Sequence, residues 1–538
     1  MKVYLKRNKK MFIFIILFSV LTACTGVFVQ FLKGSVLDSA LNLSINETLL
    51  YAVLLFALIS VEILFFWLYC KTSNNFVVKC MKALKLDFFS SLLKKDYVGF
   101  RNKSEAEYIS TYTKSMAVLE QKWFSTLPVF FEILSRIIFV SIGLFILDWR
   151  LAIITLFLLS TPIYIPKLIK NKLVKAQNKA VASTEKNIEY FTEWIQAFET
   201  IKNFNIVSKI QKMFQGSMQK AVYDDLANRN LNTISRIIMM CISYFSYFIV
   251  IAFSAYLVLD GTFSAGDFFI AIGMIDQLSY PLISLSGLVQ NIISVKDIAG
   301  NVISFSAELP EDDTNNKENK DIETFDEYIL FEKIYFSYPD SSEILLNNFN
   351  LNLPKGSKTL ITGASGRGKS TLLNLLFAYY TPNQGCIKID GKDLNDINIY
   401  DLISIVRQEP HMFADTLRNN LTLYDDIQDD VLIDMLKRVN LVKIANIDDL
   451  NKKIELGGKN LSGGEKKRIA LARTLLRETS ILLFDEPLAN LDEANVDSIE
   501  DLILSIEDKT IIVVSHHFSA NKLNAFDYHI DLDKIFIS

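Results

Sequence analysis

The residues with the clearest chemical purpose lie together at Gly363, Ala364, Ser365, Gly366, Arg367, Gly368, Lys369, Ser370 and Thr371. The first eight fit G-x-x-x-x-G-K-[ST], the spacing of a phosphate-cradling loop. Glycines let the backbone curl so that successive N–H groups face phosphate oxygens. Lys369 can reach the β- and γ-phosphates, and the Ser370 hydroxyl can take a place on Mg²⁺. The apolar run Thr359–Thr362 before the loop reads as a buried strand, and Thr371–Leu376 after it as a helix start. That helix would turn the positive end of its dipole toward the anion. The sequence therefore predicts a nucleoside triphosphate site on an α/β unit.

The rest of the chain sets the frame around that site. Its 538 residues are too many for one domain, and half of them are hydrophobic. The five cysteines (Cys24, Cys70, Cys80, Cys241 and Cys386) show no C-x-x-C spacing, so neither a disulfide framework nor a zinc site is indicated. A net charge of −4 gives no basis for nucleic-acid binding.

Six apolar runs are long enough, at about 20 residues, to cross a bilayer as helices. They fall near Met11–Leu32, Leu49–Cys70, Phe124–Leu147, Leu151–Ile169, Ile237–Leu259 and Phe268–Ile293. The segments Lys71–Lys122 and Lys170–Arg229 carry ten Lys/Arg each, whereas the opposite connections together carry two, Lys33 and Arg150. The positive-inside rule then places both long connections, the N-terminal cluster Lys6, Arg7, Lys9 and Lys10, and the C-terminal half in the cytoplasm of a multi-pass cell-membrane protein. Leu21-Thr-Ala-Cys24 imitates a lipoprotein cleavage site, but cleavage there would remove most of the first span and strand the nucleotide site on the wrong side. The long connections show apolar residues at helical spacing, which reads as membrane helices continuing outward and reversing near Asp96–Phe100 and Phe198–Phe204. Aromatic tips of this kind suit docking onto a partner domain. Composition shifts at an acidic, Asn-rich stretch. The expected division is a transmembrane domain at 1–307, a linker at 308–326 and a nucleotide-binding domain at 327–538.

Within the last segment the remaining motifs resemble, in order and spacing, those of an ABC transporter ATPase. Tyr338, in Phe336-Ser-Tyr-Pro339, resembles the aromatic that stacks on adenine, with packing in the core as the plainer alternative. Gln408 resembles the glutamine that senses Mg²⁺. Leu461-Ser-Gly-Gly-Glu465 resembles the family signature, with Glu465 in place of the commoner glutamine. Ile481–Phe484 followed by Asp485 and Glu486 resembles the strand carrying the metal-side aspartate and the catalytic glutamate. Asp492 and His516 match the aspartate-loop and switch-histidine positions. The resemblance implies a catalytic set of Glu486, His516, Lys369 and Gln408 and a metal set of Ser370, Gln408 and Asp485. It also implies a second γ-phosphate binder at Ser462, Gly463 and Gly464 that completes the site of an opposing subunit. Glu409 and His517 read as spectators, and Leu488-Ala-Asn490 departs from the small-hydroxyl pattern usual there. The last residues, Tyr528–Leu532 and Ile535–Ile537, read as a closing hairpin.

The expected architecture is a multidomain chain, an all-α six-helix transmembrane domain plus an α/β P-loop NTPase (ABC ATPase) domain, of the exporter half-transporter type. The expected partners are ATP, Mg²⁺, membrane lipid, a transported hydrophobic, peptide, lipid or drug-like substrate, and a second half-transporter, identical or not. A membrane-anchored ATPase acting as regulator or gate, or an importer on the same architecture, is the alternative. Ionisable residues inside spans point to function by default, which singles out Glu62, Glu132, Arg136 and Asp276. Glu132 and Arg136 stand at i, i+4 and can pair on one helix face.

Overall fold

The computed structural model describes residues 2–160, 165–307, 324–339, 341, 343–364, 366–489, 493–516 and 518–535. Two compact units divide the chain. One comprises Met1–Lys94 with Ser104–Glu308, the other Lys95–Lys103 with Leu309–Ser538. The short segment 95–103, from the first hairpin tip, thus groups with the C-terminal unit.

Apolar sequence and length dictate the helical unit. The helices Lys9–Leu41, Ile45–Leu93 and Val207–Leu259 run for 33, 49 and 53 residues. At 1.5 Å per residue the longer two greatly exceed the roughly 30 Å of a bilayer core, so their ends project beyond it. Among the described residues four helical stretches have the length and composition to cross a membrane: these three and Glu105–Leu147. The run expected at Leu151–Ile169 divides between helices Trp149–Ser160 and Ile165–Gln196, with 161–164 outside the described residues. The last expected span lies in helix Ala265–Ser294, which contains Pro281.

Packing inside this unit joins apolar surfaces from several helices. Val27, Val140, Leu144, Val250, Met274 and Leu278 are buried in one cluster. The helix Ile45–Leu93 instead turns Leu49, Phe56 and Ile63 outward, as expected of side chains that meet lipid rather than protein. Between Lys9–Leu41 and Ala265–Ser294 the approach is set by small residues, a device suited to membranes because lipid tails give no hydrophobic drive. A Cβ on Gly34 would lie 2.4 Å from Ile270 and 2.8 Å from the Gly266 carbonyl, and one on Gly273 only 2.1 Å from the Gln30 amide oxygen. The Asp38 carboxylate fastens the same pair of helices, accepting from the Gly266 N–H and the Ser264 hydroxyl at 2.7 Å each.

The second hairpin is built from Ile165–Gln196 and Val207–Leu259, with the short helix Phe198–Asn203 at its tip. Its polar seam centres on buried Asp224, which accepts from Lys179 at 2.8 Å and Ser183 at 2.5 Å. Asn187 meets Ser217 at 3.1 Å one step further along.

In the C-terminal unit two sheets carry the fold. An antiparallel sheet has the order β2 (Leu346–Pro354), β1 (Tyr328–Phe336), β4 (Gln384–Ile389) and β5 (Lys392–Asp393). A parallel sheet has the order β6 (Ile403–Val406), β7 (Ile481–Asp485), β8 (Thr510–Val514), β3 (Lys358–Thr362) and β9 (Tyr528–Asp531). Every residue of β7 and β8 is buried, as expected of central parallel strands covered on both faces.

The C-terminal segment corrects one expectation. Tyr528–Asp531 is not one arm of a hairpin but a parallel strand on β3, with Thr359 opposite Tyr528. Leu532–Ile535 forms a helical turn, and 536–538 lie outside the described residues. The physical cause is local: Leu532 is fully buried, and the Asp533 carboxylate accepts the Ala364 N–H at 2.8 Å and pairs with Arg367 at 3.1 Å. These anchors tie the segment to the phosphate loop.

The glycine contacts make a paired prediction. Gly34→Ala should destabilise by about 1–3 kcal/mol, because the Gly266 backbone cannot yield as a side chain can. Gly216→Ala, at a helical position with nothing within 4 Å, should stabilise by about 0.5–1 kcal/mol. Thermal unfolding in nanodiscs reads both, and equal shifts of the same sign would contradict the close approach.

Candidate functional site

The parallel sheet delivers its site at one edge. All five strands are parallel and end on the same side, and the segments after β3, β6, β7 and β8 bring polar residues to that edge. After β3 comes the phosphate loop, where Gly366 and Gly368 hold φ of 84° and 85°, a left-handed backbone that side chains disfavour. Gly368 then caps helix Lys369–Leu376. Ser365 lies outside the described residues. After β7 come Asp485 and Glu486, the latter also left-handed at φ 50°. Its N–H bonds the Val514 carbonyl at 2.8 Å, so β8 supports that strained position.

Side chains from four strand ends meet here. Lys369 is 6 % exposed, and its ammonium donates to the Gly363 and Ala364 carbonyls at 2.9 and 3.0 Å and lies 3.0 Å from His516 Nε2. Ser370 donates to Asp485 Oδ1 at 2.8 Å. Gln408 donates to Glu486 Oε2 at 3.0 Å, while His516 Nε2 lies 3.3 Å from Glu486 Oε1. Lys369, His516, Glu486 and Gln408 therefore form one connected polar group, and the Ser370–Asp485 pair adjoins it in the chain. Tyr338 adjoins it: its hydroxyl is 2.9 Å from that of Thr371, and its ring packs edge-on against Phe336 and Tyr380.

The signature turn stands apart. Ser462 caps helix Gly463–Leu476 by accepting from the Glu465 N–H at 3.2 Å, and Glu465 accepts in return from the Ser462 N–H at 2.8 Å. Glu465 thus completes a capping box, a structural role for the residue that departs from the commoner glutamine. Among the described residues no hydrogen bond or ion pair joins Ser462, Gly463 or Gly464 to the phosphate loop. Asp492 lies outside the described residues, as do Asn490 and His517.

Sequence reasoning gave no site role to five contributors. Arg407, beside Gln408, sets one guanidinium nitrogen 3.5 Å from Asp485 Oδ2 and lies 4.9 Å over the Tyr379 ring. Tyr379 stacks on Tyr97 with centroids 4.1 Å apart and planes 1° from parallel, and Arg101 lies over the opposite partner of that stack at 5.4 Å. Tyr97 and Arg101 belong to the tip helix Tyr97–Arg101, capped by Asp96 accepting from the Gly99 N–H. Lys467 runs from the signature helix to the carbonyls of Glu486 and Ala489. A basic residue next to the glutamine and a Tyr–Tyr pair after the helix were visible signals, but neither has a fixed motif.

Burial pushes the Lys369 ammonium below its usual value, against the pull of the Glu486, Asp533 and Asp485 carboxylates. Phosphate oxygens beside it would favour the charged form, so nucleotide binding takes up a proton once the free lysine has lost its own. Affinity for ATP should therefore begin to fall, as pH rises, before the ordinary lysine value of 10.5 is reached. Equilibrium binding across alkaline pH checks this, and an affinity that stays level up to that value would contradict it.

Both units resemble known proteins. Residues 12–282 match the model of the ABC transporter transmembrane region, and residues 346–489 that of the ABC transporter. The multidrug resistance-like ATP-binding protein MdlB of Buchnera aphidicola subsp. Schizaphis graminum is 28 % identical over 88 % of this chain and 82 % of its own length. The lactococcin-G-processing and transport ATP-binding protein LagD of Lactococcus lactis subsp. lactis is 27 % identical over 84 % of this chain and 65 % of its own. The solved structure of a bacterial Atm1-family ABC exporter with ATP bound superposes with a TM-score of 0.79 at 20 % identity, covering 97 % of this chain and 94 % of that one. The helical unit and the phosphate-loop unit are accordingly a transmembrane domain and an ATP-binding, transport-coupled ATPase domain, and the chain is a membrane protein of the ABC transporter family.

Proposed function

We propose that this chain is a half-transporter that exports its substrate by hydrolysing ATP between two copies of its ATPase domain, or between this copy and a related one. The observation that carries the reading is the incompleteness of the site. Lys369, Ser370, Asp485, Glu486, Gln408 and His516 converge, while among the described residues no hydrogen bond or ion pair joins them to Ser462, Gly463 and Gly464, a second helix start suited to an anion. An opposing subunit supplying that turn would complete each site.

Each group then has a role. Lys369 and the loop N–H groups hold the β- and γ-phosphates, and Tyr338 offers a flat face beside the base. Glu486 aligns or deprotonates the attacking water, and His516 stabilises charge growing on the γ-phosphate. Mg²⁺ would fit the donor set, because Ser370, Gln408 and Asp485 offer hard oxygens and the Ser370 hydroxyl already lies 2.8 Å from Asp485 Oδ1. When bound, Mg²⁺ neutralises charge on the β- and γ-phosphates. The basic long connections favour an orientation with both hairpins and the ATPase domain in the cytoplasm. The division at 1–307, 308–326 and 327–538 is the domain arrangement this reading adopts.

Glu486→Gln should lower hydrolysis by about 10²–10⁴-fold while ATP stays bound, and should abolish transport. Single-turnover hydrolysis with radiolabelled ATP in proteoliposomes measures both. Turnover near the wild-type rate would remove Glu486 from the base position.

A further inference from the structure

A buried cation stands behind Glu486. Lys467, 8 % exposed, lies in helix Gly463–Leu476, one helical turn beyond the signature glycines. Its ammonium donates to the Glu486 carbonyl at 3.4 Å and also to the Ala489 carbonyl. Those carbonyls belong to the two ends of a tight turn, which the Ala489 N–H closes by donating to the Glu486 carbonyl at 3.3 Å. Pro487 fixes a backbone dihedral inside the turn, and Leu488 is buried beside it. The turn starts at the residue whose backbone is left-handed and whose carboxylate meets Gln408 and His516. Lys467 therefore braces the peptide that aims this carboxylate.

The position is a demanding one for a lysine. Burying an ammonium is costly unless it is well bonded. Burial pushes Lys467 below its usual value, and the Glu486 carboxylate pulls the other way. Lys467 also lines a small pocket with Leu471, Phe484 and Pro487, so an apolar side chain of similar length would fill its place. At the start of the same helix, the capping box of Ser462 and Glu465 fixes the signature turn. One turn of hydrogen-bonded helix is stiff, so the signature start and Lys467 move as one body. With shared sites, Glu486 serves the chain's own nucleotide, whereas Ser462, Gly463 and Gly464 serve the partner's.

We propose that Lys467 is a positioning residue that yokes Glu486 of one ATP site to the signature turn offered to the other. Removing its ammonium then lowers turnover at both sites. This deepens the proposed function and rests on its shared sites.

Mixed dimers of the full chain in nanodiscs, with a single live site, separate the two ends of the yoke. One copy carries Lys369→Ala and lends the live site its signature turn. The other carries Ser462→Arg and lends Lys369 and Glu486. Lys467→Met, which keeps the apolar stem and removes the donor, is added to one copy at a time. Either placement should lower kcat for ATP hydrolysis by about tenfold or more, because misplaced groups slow the chemical step. ATP affinity, from equilibrium binding to the same dimers, should stay within about threefold of the parent, a split that damage to the fold would not produce. A fall in only one placement, or in neither, overturns the proposal, as does loss of ATP binding in parallel with turnover. A parent mixed dimer no faster than its two homodimers instead contradicts the shared sites, and the yoke falls with them.

Discussion

Parallel pairing of β6, β7, β8, β3 and β9 is the constraint on which the active edge depends. Parallel strands end on one side, so five separate stretches of sequence bring their next residues to a common line. Gln408, Glu486, His516 and the phosphate loop, distant in sequence, become hydrogen-bonded neighbours for that reason. The cost of such a sheet is that both faces need cover, and the apolar residues of β7 and β8 are buried accordingly. Glu486 takes a left-handed backbone at the end of β7, a strain the Val514 carbonyl helps to hold.

A second feature extends that line outward. The Asp485 carboxylate meets Arg407, Arg407 covers Tyr379, and Tyr379 stacks on Tyr97 in the tip helix of the first hairpin. The contacts are contiguous and each has a physical basis: an ion pair, a cation over a ring face, and parallel rings.

Much of the site was legible because its chemistry demands particular residue types at fixed spacing. Lys369, Ser370, Asp485, Glu486 and His516 have motif positions, and the strand–loop–helix around the phosphate loop follows from apolar runs and glycines. Other contributors have no such spacing. Arg407 and Tyr97 lie 310 positions apart and act together only because the chain folds the tip helix against Tyr379. The parallel course of β9 was illegible for a related reason, since Asp533 reads as a turn residue until its bond to the Ala364 N–H is known. In the helical unit, hydrophobicity located spans, but the close approach at Gly34 and Gly273 depends on which helices become neighbours. The Glu132–Arg136 pair was readable because both residues sit on one helix.

The central claim is that one ATPase domain supplies the phosphate loop and its counterpart supplies the signature turn. Trans-complementation tests it most directly, using Lys369→Ala in one copy and Ser462→Arg in the other, each inactive as a homodimer. In the mixed dimer both lesions fall in one shared site, leaving the other with an intact Lys369 and an intact Ser462. The account predicts that ATP hydrolysis returns in the mixed dimer. Hydrolysis that stays at the level of the two homodimers would contradict it, because a site formed within one chain cannot be rescued by mixing.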